Sequence, residues 1–341
     1  MKNFEWTSPR GLAEASKAEA IVVADAMASK DGHPSADGVV FKAGGIDLLD
    51  LMKEGLLTPR RLVNLRTIPG LDLIAQEKSG EVRIGANVSL ARIAEDPLLR
   101  ARYRALADAA NCSASPQIRA VATIGGNLLQ RPRCWYFRSR HHHCARKGGT
   151  ACFAFTGENQ YHAIFDHHGC AIVHPSTAAT ALVAFGAKVE LMQTDGARRV
   201  VDLERFFVLP DADIQRENSL KAGEILTGIL LPAQTSGITS AHLKHSEKNS
   251  FDWPIADVAV MLERNTNGVC RRASIVLGAA APVPHRAKTA EAALIGKRIN
   301  EQSARAAAEA ALVGATPLSK NAYKLPIFMT LVRRAVLAAA A

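Results

Sequence analysis

Four of the six cysteines in this chain of 341 residues fall within positions 134–170, where an even spread would place fewer than one. The paired Cys-x-x-Cys knuckles of a zinc ribbon, a thioredoxin-like redox pair and a Cys-x-x-Cys-His haem site are all absent. Four thiolates on one wrapping loop can instead each bind one iron of a [4Fe–4S] cluster. The candidate ligands are Cys134, Cys144, Cys152 and Cys170.

Spacing alone leaves other interpretations of these cysteines open. Coincidence, two disulfides and a four-cysteine zinc site remain alternatives to the cluster. The loop at 131–172 shows little helix or strand periodicity, and its composition favours a metal of some kind. The three adjacent histidines at His141–His143 cannot all face one ion, so a solvated loop is the simpler interpretation of that run.

Two pairs of adjacent glycines indicate a second kind of chemistry, the binding of phosphate. Gly44-Gly45 stands between a strand-like run and a helical pattern, and Gly125-Gly126 follows later. Glycine permits positive φ and removes side chains, so successive backbone N–H groups can point at a phosphate next to a helix N-terminus. Each pair alone is most simply a turn, but together they could hold a pyrophosphate from two sides. No G-x-G-x-x-G follows a strand, which disfavours a Rossmann site.

Composition limits the partners of the chain. The 42 Lys and Arg against 32 Asp and Glu give a net charge of +10, which suits an acidic partner subunit or a phosphate-bearing cofactor. The basic residues are scattered, and the few aromatic residues, 11 Phe, 4 Tyr and 3 Trp, argue against a stacking platform for nucleic acid. We therefore expect no nucleic-acid partner.

Two domains are predicted from the order of the elements. Strand and helix patterns alternate as far as Pro232, which indicates an α/β domain, and the polar stretch Ala233–Thr239 marks a boundary. Strands followed by helices then indicate a smaller α+β domain over 238–341. The first part includes a helical pattern over Leu12–Ala28 and a strand pattern over Ile225–Leu231.

No membrane span or export signal is predicted. The longest uncharged stretch, His167–Ala187, contains His, Gly, Pro, Ser and Thr and is too polar for hydrocarbon. The first residues lack the pattern of a signal peptide. We expect the protein to be cytoplasmic, or periplasmic if it is exported together with a partner that carries the signal.

Several segments follow one another along the chain in an order that is specific when they are taken together. They are FKAGGIDLLDLMK, SASPQIRAVATIGGNLLQRPRC, the four spaced cysteines, HPSTAATALVA, GEILTGILLP, SFDWPIADVAV, LGAAAPVPHRA and ATPLSKNAYKLP. In this order the chain resembles, over nearly its whole length, the FAD-binding medium subunit of molybdenum hydroxylases such as bacterial aldehyde and xanthine dehydrogenases. The cysteine insert after IGGN resembles the subclass with an additional [4Fe–4S] cluster, which includes 4-hydroxybenzoyl-CoA reductase flavoproteins. The resemblance thus favours the cluster over zinc or disulfides.

The resemblance implies an α+β fold in two domains. An FAD-binding domain of the vanillyl-alcohol-oxidase type would cover 1–232 in two subdomains, about 1–65 and 66–232, with the [4Fe–4S] loop at 131–172. A domain like the C-terminal domain of the CO dehydrogenase flavoprotein would cover 238–341.

The resemblance also implies the residues that contact FAD. A first loop would supply N–H groups to the pyrophosphate, a second loop would contact it from the other side, and three further residues would lie nearby. These are Val40, Phe41, Lys42, Ala43, Gly44, Gly45, Ile46, Asp47 and Leu48; Ser113, Thr123, Gly125, Gly126 and Asn127; and Thr177, Leu226 and Lys244.

Some of these positions have simpler interpretations or depart from the family. Without the resemblance, Leu226 is an ordinary strand core residue and Lys244 a solvated charge. Ile46 replaces a usual Thr or Ser, and Thr177 replaces a usual Asp. One such polar contact is worth roughly 1 kcal/mol, so we expect a lower FAD affinity but a site that survives.

The implied function is electron transfer. The subunit would pass electrons from a large molybdenum-cofactor subunit and a small [2Fe–2S] subunit to an external acceptor, with no catalytic acid or base of its own. No Ser/His/Asp or paired-carboxylate arrangement demands another interpretation, and we expect four carboxylates to be solvated. These are Asp202, Glu204, Glu217 and Glu224. The alternatives are a subunit of a 4-hydroxybenzoyl-CoA reductase-type enzyme, a zinc-stabilised non-enzymatic binding protein, and a flavin-free structural subunit.

Overall fold

Three β-sheets follow one another along the chain in the computed structural model. It describes residues 1–29, 34–235, 237–248 and 250–341, so Ser236 of the predicted boundary lies outside the described residues. No helix in these ranges is long and apolar enough to cross a membrane.

The first sheet has three parallel strands in the order β1-β3-β2. A short turn joins the end of β2 to α3, whose Leu51 and Met52 are buried against the sheet. The predicted continuous helix over Leu12–Ala28 is wrong. Glu19 adopts φ +52°, which a right-handed helix cannot accommodate, and it separates two short helices. The elements are β1 (Glu5–Thr7), α1 (Leu12–Ala15), a 3₁₀ turn (Ser16–Ala18), α2 (Val23–Met27), β2 (Val39–Lys42), α3 (Ile46–Lys53) and β3 (Arg61–Asn64).

The second sheet has five antiparallel strands in the order β4-β5-β8-β6-β7. The strands are β4 (Ile74–Gln76), β5 (Val82–Gly85), β6 (Lys188–Met192), β7 (Arg198–Asp202) and β8 (Ile225–Leu231), the last as predicted. The helices of this part are α4 (Leu90–Glu95), α5 (Pro97–Arg102), α6 (Arg104–Asn111), α7 (Pro116–Val121), α8 (Ile124–Leu128), α9 (Trp135–Arg138), α10 (Thr177–Ala184) and α11 (Leu203–Phe206), with a 3₁₀ turn at Ala145–Lys147.

The third sheet has four antiparallel strands in the order β12-β11-β10-β9. Its elements are β9 (Ile238–His245), β10 (Ala256–Arg264), β11 (Cys270–Gly278), β12 (His285–Arg286), α12 (Lys288–Leu294), α13 (Glu301–Ala310) and α14 (Lys324–Ala340).

The two faces of this third sheet belong to different cores. On β10, Val258 and Val260 pack in one core with α14, whereas Ala259 and Met261 pack in the core of the preceding part of the chain. This follows from the two-residue period of a strand, which sends neighbouring side chains to opposite faces. The sheet is therefore held from both sides: α14 packs on one face, and on the other α6 contacts β9 while α10 contacts β10 and β11.

Candidate functional site

A cavity of about 690 Å³ opens where the β2–α3 turn, the start of α8 and the third sheet meet. Its size is that of a cofactor site rather than a packing defect. Sixteen of the seventeen residues that the resemblance assigned to FAD line it. They are Phe41, Lys42, Ala43, Gly44, Gly45, Ile46, Asp47, Leu48, Ser113, Thr123, Gly125, Gly126, Asn127, Thr177, Leu226 and Lys244.

Val40 is the one assigned residue outside the cavity lining. Its side chain is fully buried in the core that also contains Leu51 and Leu62. Phe41, the next residue on β2, does line the cavity, because neighbouring strand residues face opposite sides.

The first glycine pair closes the turn between β2 and α3. Gly45 adopts φ +84°, which favours glycine, and as the N-cap residue before α3 it offers no side chain to cap the helix. The first N–H groups of a helix have no partner inside it, so those of Ile46 and Asp47 suit an anionic ligand. A Cβ on Gly44 would lie only 2.4 Å from the Val121 carbonyl oxygen, so the turn packs directly on the backbone before α8.

The second glycine pair allows close approach of backbones and uses its own donors internally. The Gly125 N–H donates to the Ala86 carbonyl at 2.9 Å, and the Gly126 N–H donates to Thr123 Oγ1 at 3.2 Å. A Cβ on Gly125 would meet Ala86 at 3.0 Å. This pair therefore brings α8 close to the cavity, while α3 offers the free donors.

Polar groups on the other walls are held by the protein itself. The hydroxyls of Ser113 and Thr177 lie 2.5 Å apart, and the Ser113 hydroxyl donates to the Ala109 carbonyl at 2.7 Å. Lys244 is not the solvated charge of the simpler interpretation, since its Nζ donates to the backbone carbonyls of Cys112 and Asp252 at 2.8 and 2.9 Å. Leu226, 5% exposed, belongs to the core and to the cavity wall at once.

Two arginines of the cavity wall were missed by the sequence reasoning. Arg131 is 2% exposed, and its Nε and Nη2 have no hydrogen-bond partner among the described residues. Arg133 lies over the ring of Trp253, 4.5 Å from its centroid, and both residues line the cavity. The QRPRC run was visible in the sequence, but it does not tell which cavity its arginines face.

The four predicted cysteines surround a second cavity, of only about 10 Å³. Its lining includes Cys134, Cys144, Cys152 and Cys170. All six cysteines of the chain are free thiols, which does not agree with the two-disulfide alternative. Among the described residues, no three His, Cys, Asp or Glu side chains are placed so that they could hold a metal ion.

The cysteine cavity is surrounded by nitrogen groups that suit thiolates. Arg146 Nε donates to Cys170 Sγ at 3.3 Å, and His162 Nε2 lies 3.2 Å from Cys134 Sγ. Burial raises the pKa of Cys134 to about 12, whereas a hydrogen bond from the Cys152 thiol and the charge of Arg146 lower the pKa of Cys170 below its usual value. Thiolates are the ligands of iron–sulfur clusters, so these four cysteines have the chemistry of cluster ligands, although as placed no three of them lie close enough together to hold one metal ion.

Two of the four carboxylates predicted to be solvated are buried. Glu217 and Glu224 are 4% and 3% exposed. Glu217 pairs with Arg131 at 3.0 Å and with Arg146 at 2.7 Å, and Glu224 pairs with Arg199 at 2.7 Å. Long-range partners, which no local pattern reveals, explain their burial. Asp202 and Glu204 are exposed, as expected.

Hydrogen bonds and ion pairs fix the segment that carries Cys134 to the start of α3. The Asp47 carboxylate, on the first loop, accepts the Arg131 N–H at 2.8 Å and also pairs with Arg133 and Arg138 at 2.8 and 2.6 Å. These arginines flank Cys134 in the sequence. The loop that carries the first cysteine is thus fixed to the helix whose N-terminus opens on the larger cavity.

The fold and the site define a protein with a cofactor-sized cavity near a small cavity lined by four cysteines. The family described as FAD binding domain in molybdopterin dehydrogenase matches residues 2–234, and the CO dehydrogenase flavoprotein C-terminal domain matches residues 241–339. The chain therefore belongs to the FAD-binding medium subunits of the molybdenum hydroxylases, and it is an oxidoreductase subunit.

Individual relatives agree with this assignment. The chain is 32% identical to the aldehyde oxidoreductase FAD-binding subunit PaoB of Escherichia coli K12 over 290 residues, which are 84% of this chain and 87% of that one. It is 28% identical over 341 residues to the carbon monoxide dehydrogenase medium chain of Hydrogenophaga pseudoflava, with 98% and 96% covered.

A solved structure supports the fold in the same way. Carbon monoxide dehydrogenase from Hydrogenophaga pseudoflava, in a form that lacks the Mo-pyranopterin moiety of the molybdenum cofactor, matches with a TM-score of 0.73 at 27% identity. The match covers 99% of this chain and 97% of that one. The predicted α+β fold class is confirmed.

Proposed function

We propose that this chain binds FAD in the 690 Å³ cavity and a [4Fe–4S] cluster at its four clustered cysteines, and transfers electrons within a molybdenum hydroxylase. Its partners would be a large molybdenum-cofactor subunit, a small [2Fe–2S] subunit and an external electron acceptor. The observation that carries the proposal is that all four predicted cysteines line one cavity beside the cavity that gathers the predicted FAD residues. When bound, a flavin exchanges electrons singly or in pairs and an iron–sulfur cluster exchanges them singly.

The residues of the larger cavity would divide the binding of FAD among them. The α3 N-terminus would direct its free N–H groups to the diphosphate, and the unpartnered N–H groups of Arg131 would meet acceptor oxygens. Leu226 would supply apolar surface, and Lys244 is held at the wall by two carbonyls.

The residues around the smaller cavity would hold the cluster. Cys134, Cys144, Cys152 and Cys170 would be its ligands. Arg146 and Lys147 are both buried next to these sulfurs, and their positive charges would offset the negative charge of the thiolates.

The wider assignment follows the relatives. PaoB is the FAD-binding subunit of an aldehyde oxidoreductase, and we propose the same class of enzyme for the complex of this chain. We also propose the domain limits 1–232, with its two subdomains and the loop at 131–172, and 238–341. The compartment we propose is the cytoplasm, or the periplasm by export with a partner.

Cysteine replacement tests the cluster. Cys→Ser at each of the four positions, in chain purified without oxygen, is expected to remove most iron and acid-labile sulfide and to leave most FAD bound. Cys270→Ser is the matched control, because Cys270 is a buried free thiol on β11, away from this cavity. Full iron content in all four variants would refute the ligand assignment.

The same measurements separate the alternatives. Zinc without sulfide in the wild-type chain would support the zinc-stabilised binding protein, and a chain without flavin would support the structural subunit. A reductase would accept electrons from a strong external donor and deliver them inward. Donor and acceptor assays on the assembled complex distinguish this direction from substrate oxidation.

A further inference from the structure

A chain of buried charged side chains connects the cysteine cavity to the flavin cavity. Arg146 Nε donates to Cys170 Sγ at 3.3 Å, and its Nη1 donates to Glu217 Oε1 at 2.7 Å. The other oxygen of Glu217 pairs with Arg131 Nη1 at 3.0 Å. Arg146, Glu217 and Arg131 are 1%, 4% and 2% exposed, so water does not screen these charges.

The triad of Arg146, Glu217 and Arg131 has two positive charges and only one negative charge. Two guanidinium groups share one carboxylate, and Arg146 Nη2 is buried without a partner among the described residues. A buried charge is costly unless it is paired and hydrogen-bonded. The excess positive charge lies beside Cys170, so this end of the triad suits a group that brings negative charge into the cysteine cavity.

We propose that Arg146 is a positioning residue that raises the reduction potential of the iron–sulfur centre, and that Glu217 holds Arg146 in place and moderates its charge. The inference rests on the proposed function. The potential of a cluster depends on the local charge and on hydrogen bonds to its sulfurs, and Arg146 supplies both at Cys170. Glu217 also lines the larger cavity, so the residue that orients Arg146 at the cysteine cavity belongs to the lining of the proposed FAD site.

Replacement of Arg146 and replacement of Glu217 are expected to shift the midpoint potential of the cluster in opposite directions. Reduction adds negative charge to the cluster, so Arg146→Gln, which removes a positive charge next to it, is expected to lower its midpoint potential. Glu217→Gln leaves two arginines without their carboxylate and is expected to raise it. Arg146→Lys keeps the charge but loses the planar fork that reaches Cys170 and Glu217 together, so its potential should fall by less than that of Arg146→Gln.

Electron paramagnetic resonance of the full chain during a redox titration measures these potentials, with iron, sulfide and FAD determined for each variant. Arg83→Gln is the matched control, since Arg83 pairs with Glu190 at 2.8 Å and neither residue lines either cavity. Its midpoint should equal that of the wild type.

Opposite shifts for Arg146→Gln and Glu217→Gln support the inference, and unchanged midpoints or shifts of one sign overturn it. If Arg146→Gln loses its iron, the comparison of Arg146→Lys with the wild type decides in its place. A fall supports the inference, and an unchanged or raised midpoint overturns it. A wild-type chain without iron and sulfide would refute the proposed cluster itself. A cluster that is present, but whose midpoint potential is the same in both variants as in the wild type, would refute only the role of Arg146 and Glu217.

Discussion

Gly44→Ala should weaken FAD binding through a steric clash, and the free-energy cost of that clash can be estimated from the structure. The new Cβ would lie 2.4 Å from the Val121 carbonyl oxygen and 3.3 Å from Ala122 Cα, both backbone atoms that cannot rotate away. The β2–α3 turn and the segment before α8 would have to separate. Overpacking of this kind costs about 1–3 kcal/mol. If the cost falls on the bound arrangement, the Kd for FAD rises roughly 5- to 150-fold, at about 1.4 kcal/mol per tenfold.

Titration of the FAD-free chain, followed by flavin fluorescence or by calorimetry, measures this change. Gly11→Ala is the control, because a Cβ there meets nothing within 4 Å and Gly11 has extended backbone with φ −166°. Thermal unfolding of both variants shows whether the chain remains folded. A folded Gly44→Ala chain with the Kd of the wild type would refute the close packing of the two loops as a requirement for binding.

Other predictions concern the Asp47 carboxylate and a buried histidine. Asp47→Asn should lower FAD and iron content together, because the loss of charge-assisted bonds from three arginines costs about 2–3 kcal/mol or more. Asp50 has a side chain that is 48% exposed, so Asp50→Asn should keep its FAD and its iron, measured by absorbance and by metal analysis. Losses of FAD and iron as large as those of Asp47→Asn would contradict this prediction. Burial lowers the pKa of His174 to about 3, from 6.5, so the unfolded chain binds the extra proton and stability falls as pH drops below 6.5. Between pH ~7 and ~5, the free energy of unfolding measured in urea should fall by about 2 kcal/mol more for the wild type than for His174→Asn. An equal fall in the two proteins would argue against a neutral, buried His174 ring.

Buried strands and the Gly44-Gly45 turn were predicted well from the sequence because their patterns are local, whereas Gly125-Gly126 lies inside α8 and is not a turn. Ile225–Leu231 is an almost continuous apolar run, and its strand has those bounds. The edge strand Ile74–Gln76 was missed, since it is short and mostly exposed. The helix predicted over Leu12–Ala28 was wrong because its Ala- and Glu-rich composition does not reveal the left-handed conformation of Glu19.

The site was predictable in its loops and unpredictable in its ion pairs. The glycine pairs and the clustered cysteines are sequence-local, and the structure brings each set to one cavity. The pairing of Arg146 with Glu217 joins residues 71 positions apart and depends on how the cysteine loop folds back. Helical or strand periodicity contains no information about such a contact, so Glu217 was assigned to solvent.

Chemical analysis of the native chain, purified without oxygen, tests the central claim most directly. FAD, iron, zinc and acid-labile sulfide are to be measured per chain, together with the absorbance spectrum. The account predicts about one FAD with about four iron and four sulfide, and flavin bands over a broad iron–sulfur background. One FAD with neither iron nor sulfide, or with zinc in their place, would contradict the claim that an FAD site and an iron–sulfur site lie next to each other in this chain.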